Sequence, residues 1–428
     1  MPVTRLQTLF FLFTRSAPAV TQVFLAVAFG IRDQAVEYLD FSIGITTAAL
    51  AADGASGWLS HSLVRTNPYL HASKTGLRLV VLLTVLAAFL VASLLTYSTF
   101  AIIGKSTGAA LLLALGSAVS AVQLALSSMI RAHNQFTYQH RQMLAAELSR
   151  SVGVFGGALM GVFVWGTGAM ALVASALLGT FALLPFGRAL PGFTNVIQRT
   201  LRPGVAAFAR QSAKYGYPIV LVSVSLLIVQ FSDRIILTFA KGEAIAASYA
   251  ATYDIVNRPI GLVIGAIAMA SQRSLFDQFD SGSNTFRSML KKDVRLQVVI
   301  AAVLGLFLIL CLWLSVWVRD LVLGDQSYLV ALLIFVAAVA LGLTHTVMRP
   351  LQATRSTGRL ALFAFMTAVV NVVVGVPLIA LLGPVGAATS TALSFIGLAL
   401  VLSWGNRSIV LPGGSTSQNE RDAPYGSD

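Results

Sequence analysis

Charge is what this chain of 428 residues has least of: Asp, Glu, Lys and Arg together make up 11%, against about 25% in an ordinary soluble domain. A soluble fold of this length needs a charged skin, and the residues to make one are missing. Cysteine is almost absent as well. Cys311 stands alone, which excludes a disulfide framework, and the five histidines form no Cys/His spacing of a zinc site. Disorder is excluded by the other side of the balance, 57% hydrophobic residues and a mean hydropathy of +0.82. The remaining class is an all-α polytopic membrane protein. One span with its connection takes roughly 30–40 residues, so the length allows about twelve.

The formal charge of +13 raises the question of nucleic acid. The basic residues punctuate apolar runs instead of forming a patch, so no nucleic-acid partner is expected. No metal cluster or cofactor motif is visible, and none is expected. The run after Met1 is interrupted by Arg15, lacks a small-residue cleavage site and continues to Gly30. It is therefore expected to be a span and not a cleaved signal peptide.

Apolar runs of span length fall near 6–29, 36–60, 77–103, 108–131, 142–165 and 168–187, then near 215–239, 244–270, 294–318, 327–348, 360–382 and 385–405. Turn chemistry marks the breaks at Gly166-Thr167-Gly168, Lys241-Gly242-Glu243 and Gly383-Pro384. With the N-terminus placed in the cytoplasm, 21 of the 29 Lys and Arg fall in cytoplasmic segments and four, Arg32, Lys105, Lys241 and Arg319, in outer loops. That asymmetry predicts both termini in the cytoplasm. Trp58, Trp165, Trp313, Trp317 and Trp404 lie near span ends and read as an aromatic belt.

The chain divides into an N-terminal six-helix lobe (1–190), a basic cytoplasmic linker (191–214), a C-terminal six-helix lobe (215–405) and a polar Gly/Ser-rich tail (406–428) expected to be disordered. The halves look related. Residues 145–179 align without gaps to 363–397, with Gly157, Gly168, Ala169, Ala174 and Gly179 on Gly375, Gly386, Ala387, Ala392 and Gly397. FLAVAFG followed after seven intervening residues by Tyr38 echoes ILTFAKG followed after six by Tyr249. Both halves start on the same side, so the repeat is parallel, and such repeats place a substrate site at their interface.

Four stretches carry a resemblance to a known family. They are Arg15 in a first span ending Ala28-Phe29-Gly30 with Tyr38 opening the second; Phe231 to Leu237 (FSDRIIL) followed by Tyr249 to Tyr253 (YAATY); Asp254 to Pro259 (DIVNRP) with Gly261; and the Gly383 to Ala388 turn (GPVGAA) before a Thr/Ser/Ala-rich last span. In this ordered set the chain resembles the polysaccharide flippases, O-antigen (Wzx-type) and exopolysaccharide transporters, of the multidrug/oligosaccharidyl-lipid/polysaccharide exporter superfamily. The resemblance implies a non-enzymatic transporter in a bacterial inner membrane, acting in lipopolysaccharide or exopolysaccharide biosynthesis. Its expected cargo is a polyprenyl-diphosphate-linked oligosaccharide moved to the outer leaflet by alternating access, driven by a proton, a sodium ion or the membrane potential.

Ionisable residues at membrane depth are costly and are functional candidates by default. Arg15 and Arg258, one from each half, are the expected cations for the diphosphate, because the planar guanidinium forms paired charge-assisted bonds to phosphate. Asp254, one turn before Arg258, is expected to neutralise it when the cavity is empty. Asn257, Asp53, Arg150, Arg234 and Asp233 complete the candidate substrate-binding set. Several readings stay open. Glu147 and Arg150 share a helix face and can neutralise each other, Asp233 and Arg234 can be anchors near the outer interface, and Asp40 can be interfacial. Pro259 frees a carbonyl near residue 255 and permits a bend. A multidrug or organic-cation antiporter predicts a net acidic cavity. A membrane glycosyltransferase or polymerase needs a large outer loop, and the outer loops here are short.

Overall fold

The computed structural model describes residues 20–32, 34–65, 74–136, 140–187, 204–280, 285–314, 326–354 and 356–406. Arg15, the linker to residue 203, Trp317 and the tail from 407 lie outside the described residues. The helices are α1 (Val20–Ile31), α2 (Ala35–Arg65), α3 (Lys74–Ile103), α4 (Thr107–Phe136), α5 (His140–Met160) and α6 (Gly168–Gly187) in the first half. The second half holds α7 (Gly204–Lys241), α8 (Glu243–Asp280), α9 (Thr285–Leu314), α10 (Tyr328–Val347), α11 (Thr357–Leu382) and α12 (Pro384–Gly405). Ten of these are long and apolar enough to cross a membrane. The short described part of α1 and α8, with Asp254 and Arg258 inside its length, are the two that are not.

Among the described residues, each expected apolar run falls on one helix. The helices overshoot the runs where polar ends project past an apolar slab: α7 begins at Gly204 and α8 continues to Asp280. The turn residues do what their chemistry requires. Gly166, Gly242 and Gly383 sit at φ 70°, 91° and 59°, and Gly104 at 91°, a region in which a Cβ is strained. These four tight turns lie at one end of the bundle, called here the Lys105 end. The opposite end carries Arg131 and Arg349. α5 runs through a π-helical turn, Gly161–Trp165, before Gly166, and Arg32 from the α1–α2 turn donates to the Val162 carbonyl there.

Within the first lobe α4 packs on α2, α3 and α6, and α5 on α6; within the second α11 packs on α7 and α12, and α10 on α8 and α12. The α5–α6 hairpin is close because a Cβ at Gly157 would run into the backbone of Ala174; Gly375, its counterpart in the repeat, faces Ser390 on α12 in the matching hairpin. Between lobes, α2 lies along α7 and touches α8. The α2–α7 seam is backbone-close at Gly216, where a Cβ would meet Trp58. Trp58 is correspondingly only 8% exposed, and its ring stacks on Tyr217 at 6.0 Å. It belongs to the seam and not to an aromatic belt. Trp165, Trp313 and Trp404 are exposed, as belt residues are.

Candidate functional site between the lobes

Three helices each turn a stripe of polar, small and apolar residues to the space between the lobes. On α2 the stripe is Tyr38, Ser42, Asp53 and Ser60, spaced at helical repeats. On α8 it is Asp254, Arg258, Gly261, Gly265 and Ala268. On α7 it climbs through Ile219, Ser223, Leu226 and Gln230 to Arg234. Toward the Lys105 end the stripes meet; toward the other end they diverge.

Where they meet, Asp254 is the centre. Its Oδ2 accepts from the Tyr38 hydroxyl at 2.7 Å and faces the Ser42 hydroxyl at 3.4 Å. Its Oδ1 accepts from Arg234 Nη2 at 2.9 Å and from Arg258 Nε at 3.0 Å. Arg234 also donates to Ser42 Oγ. One carboxylate thus ties two helices of the second lobe to α2 of the first. Arg234 and Asp254 are each 1% exposed, and the Arg234 guanidinium lies 4.7 Å from the Phe231 ring and 5.2 Å from the Tyr253 ring. Beside it the Tyr249 hydroxyl donates to Asp233 Oδ2 at 2.6 Å. Asp233 Oδ1, Arg234 Nε and the Tyr253 hydroxyl are buried without a hydrogen-bond partner among the described residues.

A second contact closes the same end. Lys105, in the α3–α4 turn, lies 3.1 Å from Asp40 on α2 and 3.3 Å from Glu243, the first residue of α8. Burial alone would lower its pKa, but the two carboxylates outweigh that and raise it, so the ammonium stays charged. Glu37 fixes the flank by accepting from the Gly168 N–H, at the start of α6, at 2.7 Å.

Where the stripes diverge there is a cavity of about 420 Å³. Its wall comes from α2, α4, α7, α8 and α10 and from the short helix Arg349–Ala353. The charged and titratable groups in that wall are Arg131, Arg349, His61, His345 and a single carboxylate, Asp53. Arg131 shares Glu147, at 3.7 Å, with Arg150, at 2.8 Å, so two cations stand against one anion. Arg349 donates to Ser271 Oγ at 2.8 Å and lies 3.4 Å from Asp293. Gly261 and Gly265 offer α8 backbone to the cavity with open space where a Cβ would be.

The sequence-predicted site residues separate into groups. Asp254, Arg258 and Arg234 come together. Arg258 keeps 23% of its side chain exposed and sits one turn from Gly261 in the cavity wall. Asp233 is one residue from the cluster and bound to Tyr249, and Asn257 is buried on α8. Arg234 and Asp233, read as possible interfacial anchors, are instead buried inside the protein. Asp53 lines the cavity. Arg150 does not reach it: both its bonds go to Glu147 on its own helix, whose Oε1 also accepts from Ser127, so the ion-pair reading holds for this residue. Asp40 is tied to Lys105. Arg15 lies outside the described residues. Among the described residues α4 and α10 contribute to the cavity wall beside α2, α7 and α8. Missed from sequence were Tyr38 and Ser42 as partners of Asp254, the Lys105 bridge, and Arg131 and His61 as cavity groups. The spacing of the α2 stripe was the available signal for the first of these.

A model of the family described as polysaccharide biosynthesis protein matches residues 46–276, more than half of the chain. The chain belongs to this family. No curated protein sequence matches it significantly. Among solved structures it is similar to the inward-facing conformation of a multidrug resistance transporter of the MATE family, in the MOP superfamily, at 15% identity over 94% of both chains with a TM-score of 0.65. The outward-facing conformation of such a transporter matches at 16% identity over 96% of both chains with a TM-score of 0.63. A MOP superfamily transporter from Pyrococcus furiosus, described as having a binding pocket of reversed polarity that suggests a different function, matches at 14% identity over 94% of both chains with a TM-score of 0.63. At these identities the likeness establishes a shared fold: two lobes built of membrane-length helices.

Proposed function

We propose that this member of the polysaccharide biosynthesis family is a flippase that carries a polyprenyl-diphosphate-linked oligosaccharide across a bacterial inner membrane. In this reading both termini are cytoplasmic and the Lys105 end faces outward. The two lobes, roughly 1–190 and 215–405, rock about the α2–α7 seam. The state described here is closed outside and hollow toward the cytoplasm.

The observation that supports an anionic cargo is the composition of the cavity wall. Arg131, which shares Glu147 with Arg150, and Arg349 face it with one carboxylate in the wall, Asp53, which favours an anion over the organic cation of an antiporter. A diphosphate entering from the cytoplasm meets Arg131 first, already in cationic excess over Glu147, with Arg258 one turn above the glycine wall. As phosphate takes up Arg258, Asp254 loses one of its two guanidinium partners, and the contact holding the lobes together at the outer end weakens. Binding at the inner tier thereby favours opening at the outer tier. Arg15, on the resemblance, supplies a matching cation from the first lobe. Coupling to a proton or sodium ion would fall to the carboxylates of the outer tier.

The test is complementation of glycan export, together with mass spectrometry of lipids co-purified with the protein. Removing a charged hydrogen-bond donor costs about 1.5–3 kcal/mol, so the Arg131→Gln, Arg258→Gln pair should lower export by about tenfold or more at normal membrane levels of protein. Polyprenyl diphosphate should be recovered with the wild-type chain and depleted in the pair. Normal export by the pair would end the anion-cavity reading and put the cation antiporter first.

A further inference from the structure

A second hollow lies on the outside of the second lobe. It is an apolar groove of about 530 Å³ between α9, α10 and α12, lined by Ala302, Gly305, Leu306, Ile309, Phe335 and Ile396 among others. It is separate from the interlobe cavity. α10 turns Leu341, Gly342 and His345 to the cavity and Val336, Val339 and Leu343 to the groove. A chain lying in the groove therefore cannot keep its head in the cavity without crossing α10.

The helix that forms one wall also carries charge on that same face. At 100° per residue, Lys291 and Arg295 stand within about 60° of Ala302, Leu306 and Ile309. Lys291, Lys292 and Arg295 are all exposed. From Arg295 to Gly305 is ten residues, about 15 Å of helix, which is half of the hydrocarbon core and so the depth of one leaflet. Gly305 leaves the room: a Cβ there would press on the Phe335 ring at 2.7 Å. Cations at the head and a dry channel one leaflet deep below them are the complement of an anionic lipid with an acyl chain. The α9 end concerned is the Arg349 end, fixed by the Asp293–Arg349 contact and by the bond from Gln297 Nε2 to Thr346 Oγ1 at 2.6 Å.

The geometry points to a resident site for an acidic glycerophospholipid on the second lobe, its phosphate between Lys291, Lys292 and Arg295 and one acyl chain in the α9–α10–α12 groove. It is distinct from the cargo path proposed above and does not rest on it. Because α10 is shared, lipid in the groove braces the wall of the interlobe cavity.

Native mass spectrometry of the full-length protein, exchanged into phosphatidylglycerol and separately into phosphatidylcholine, tests this. Lys291→Gln with Arg295→Gln should reduce retained phosphatidylglycerol by about tenfold and leave phosphatidylcholine unchanged. Ala302→Phe, at an exposed position facing the groove, should lower retention as much by filling the channel. Arg141→Gln, an exposed basic change elsewhere, should have no effect. Equal retention by the wild type and the charge variant overturns the site. So does loss in the charge variant without loss in Ala302→Phe, which would mean general attraction of an acidic surface. Displacement of phosphatidylglycerol by an equal amount of polyprenyl phosphate would assign the groove to the carrier lipid and overturn it too.

Discussion

Asp254→Asn keeps the shape of the side chain and removes the one anion on which Arg234 and Arg258 converge. In the closed outer tier Arg234 has no route to water, being 1% exposed, and its nearest other carboxylate, Asp233, is engaged by Tyr249. Breaking a buried pair by neutralising one partner costs about 3–5 kcal/mol. An amide that still bonds Tyr38 and Ser42 keeps the cost at the lower end, about 3 kcal/mol, on the order of a hundredfold in an equilibrium constant. Parting the lobes at the Lys105 end hydrates Arg234 and escapes most of this cost, so the variant should shift toward the outer-open state before it unfolds. Cys311 is the only cysteine, so a Cys311→Ser background accepts spin labels at Thr107 and Lys241, one on each lobe. Electron-spin distance measurements should show one dominant short distance in the wild type and a longer population in Asp254→Asn. Arg234→Gln in addition should restore part of the short distance, since the buried guanidinium left bare by the first change is then gone. An unchanged distribution in Asp254→Asn, at unchanged thermal stability, would refute the assignment of Asp254 as the interlobe tie.

Lys105→Ala removes a bridge that is one-fifth exposed, so its contribution is about 1 kcal/mol or less; the same labels should report a shift several times smaller than that of Asp254→Asn. Gly216→Val places a side chain against the Trp58 backbone. It should cost about 1–3 kcal/mol or more, visible as a lower melting temperature in detergent, whereas Gly261→Ala, with open space around it, should melt like the wild type. A reporter fused after residue 240 should read as outside and one fused after Ser281 as inside; the reverse at either site would invert the orientation of the cavity.

The helices were legible because a bilayer imposes one rule on every span, and the glycine turns because positive φ excludes side chains. The expected run 168–187 is α6 residue for residue. The limits of α7 were not legible, since a helix held by packing continues past its apolar part. The site was half legible. Depth alone marked Asp254, Arg258 and Arg234 as exceptional, for a charge inside a membrane protein needs a reason. Depth could not separate Arg150, whose partner is three residues away on its own helix, from Arg234, which bonds to a serine 192 positions away.

From the amino-acid sequence by itself came the class of protein, the order of its apolar helices, the parallel relation of its halves and the short list of costly charges. These follow from composition, period and local turn chemistry, which act between residues near each other in the chain. Which charge meets which was decided only in the tertiary structure. The reach of Tyr38 to Asp254 across 216 positions, the bridge from Lys105 to Glu243, and the gathering of Arg131 and Arg349 around one cavity depend on how α2 lies along α7. That crossing is set by close backbone approach at Gly216 and by side-chain fit along the seam, quantities no local pattern in the chain encodes.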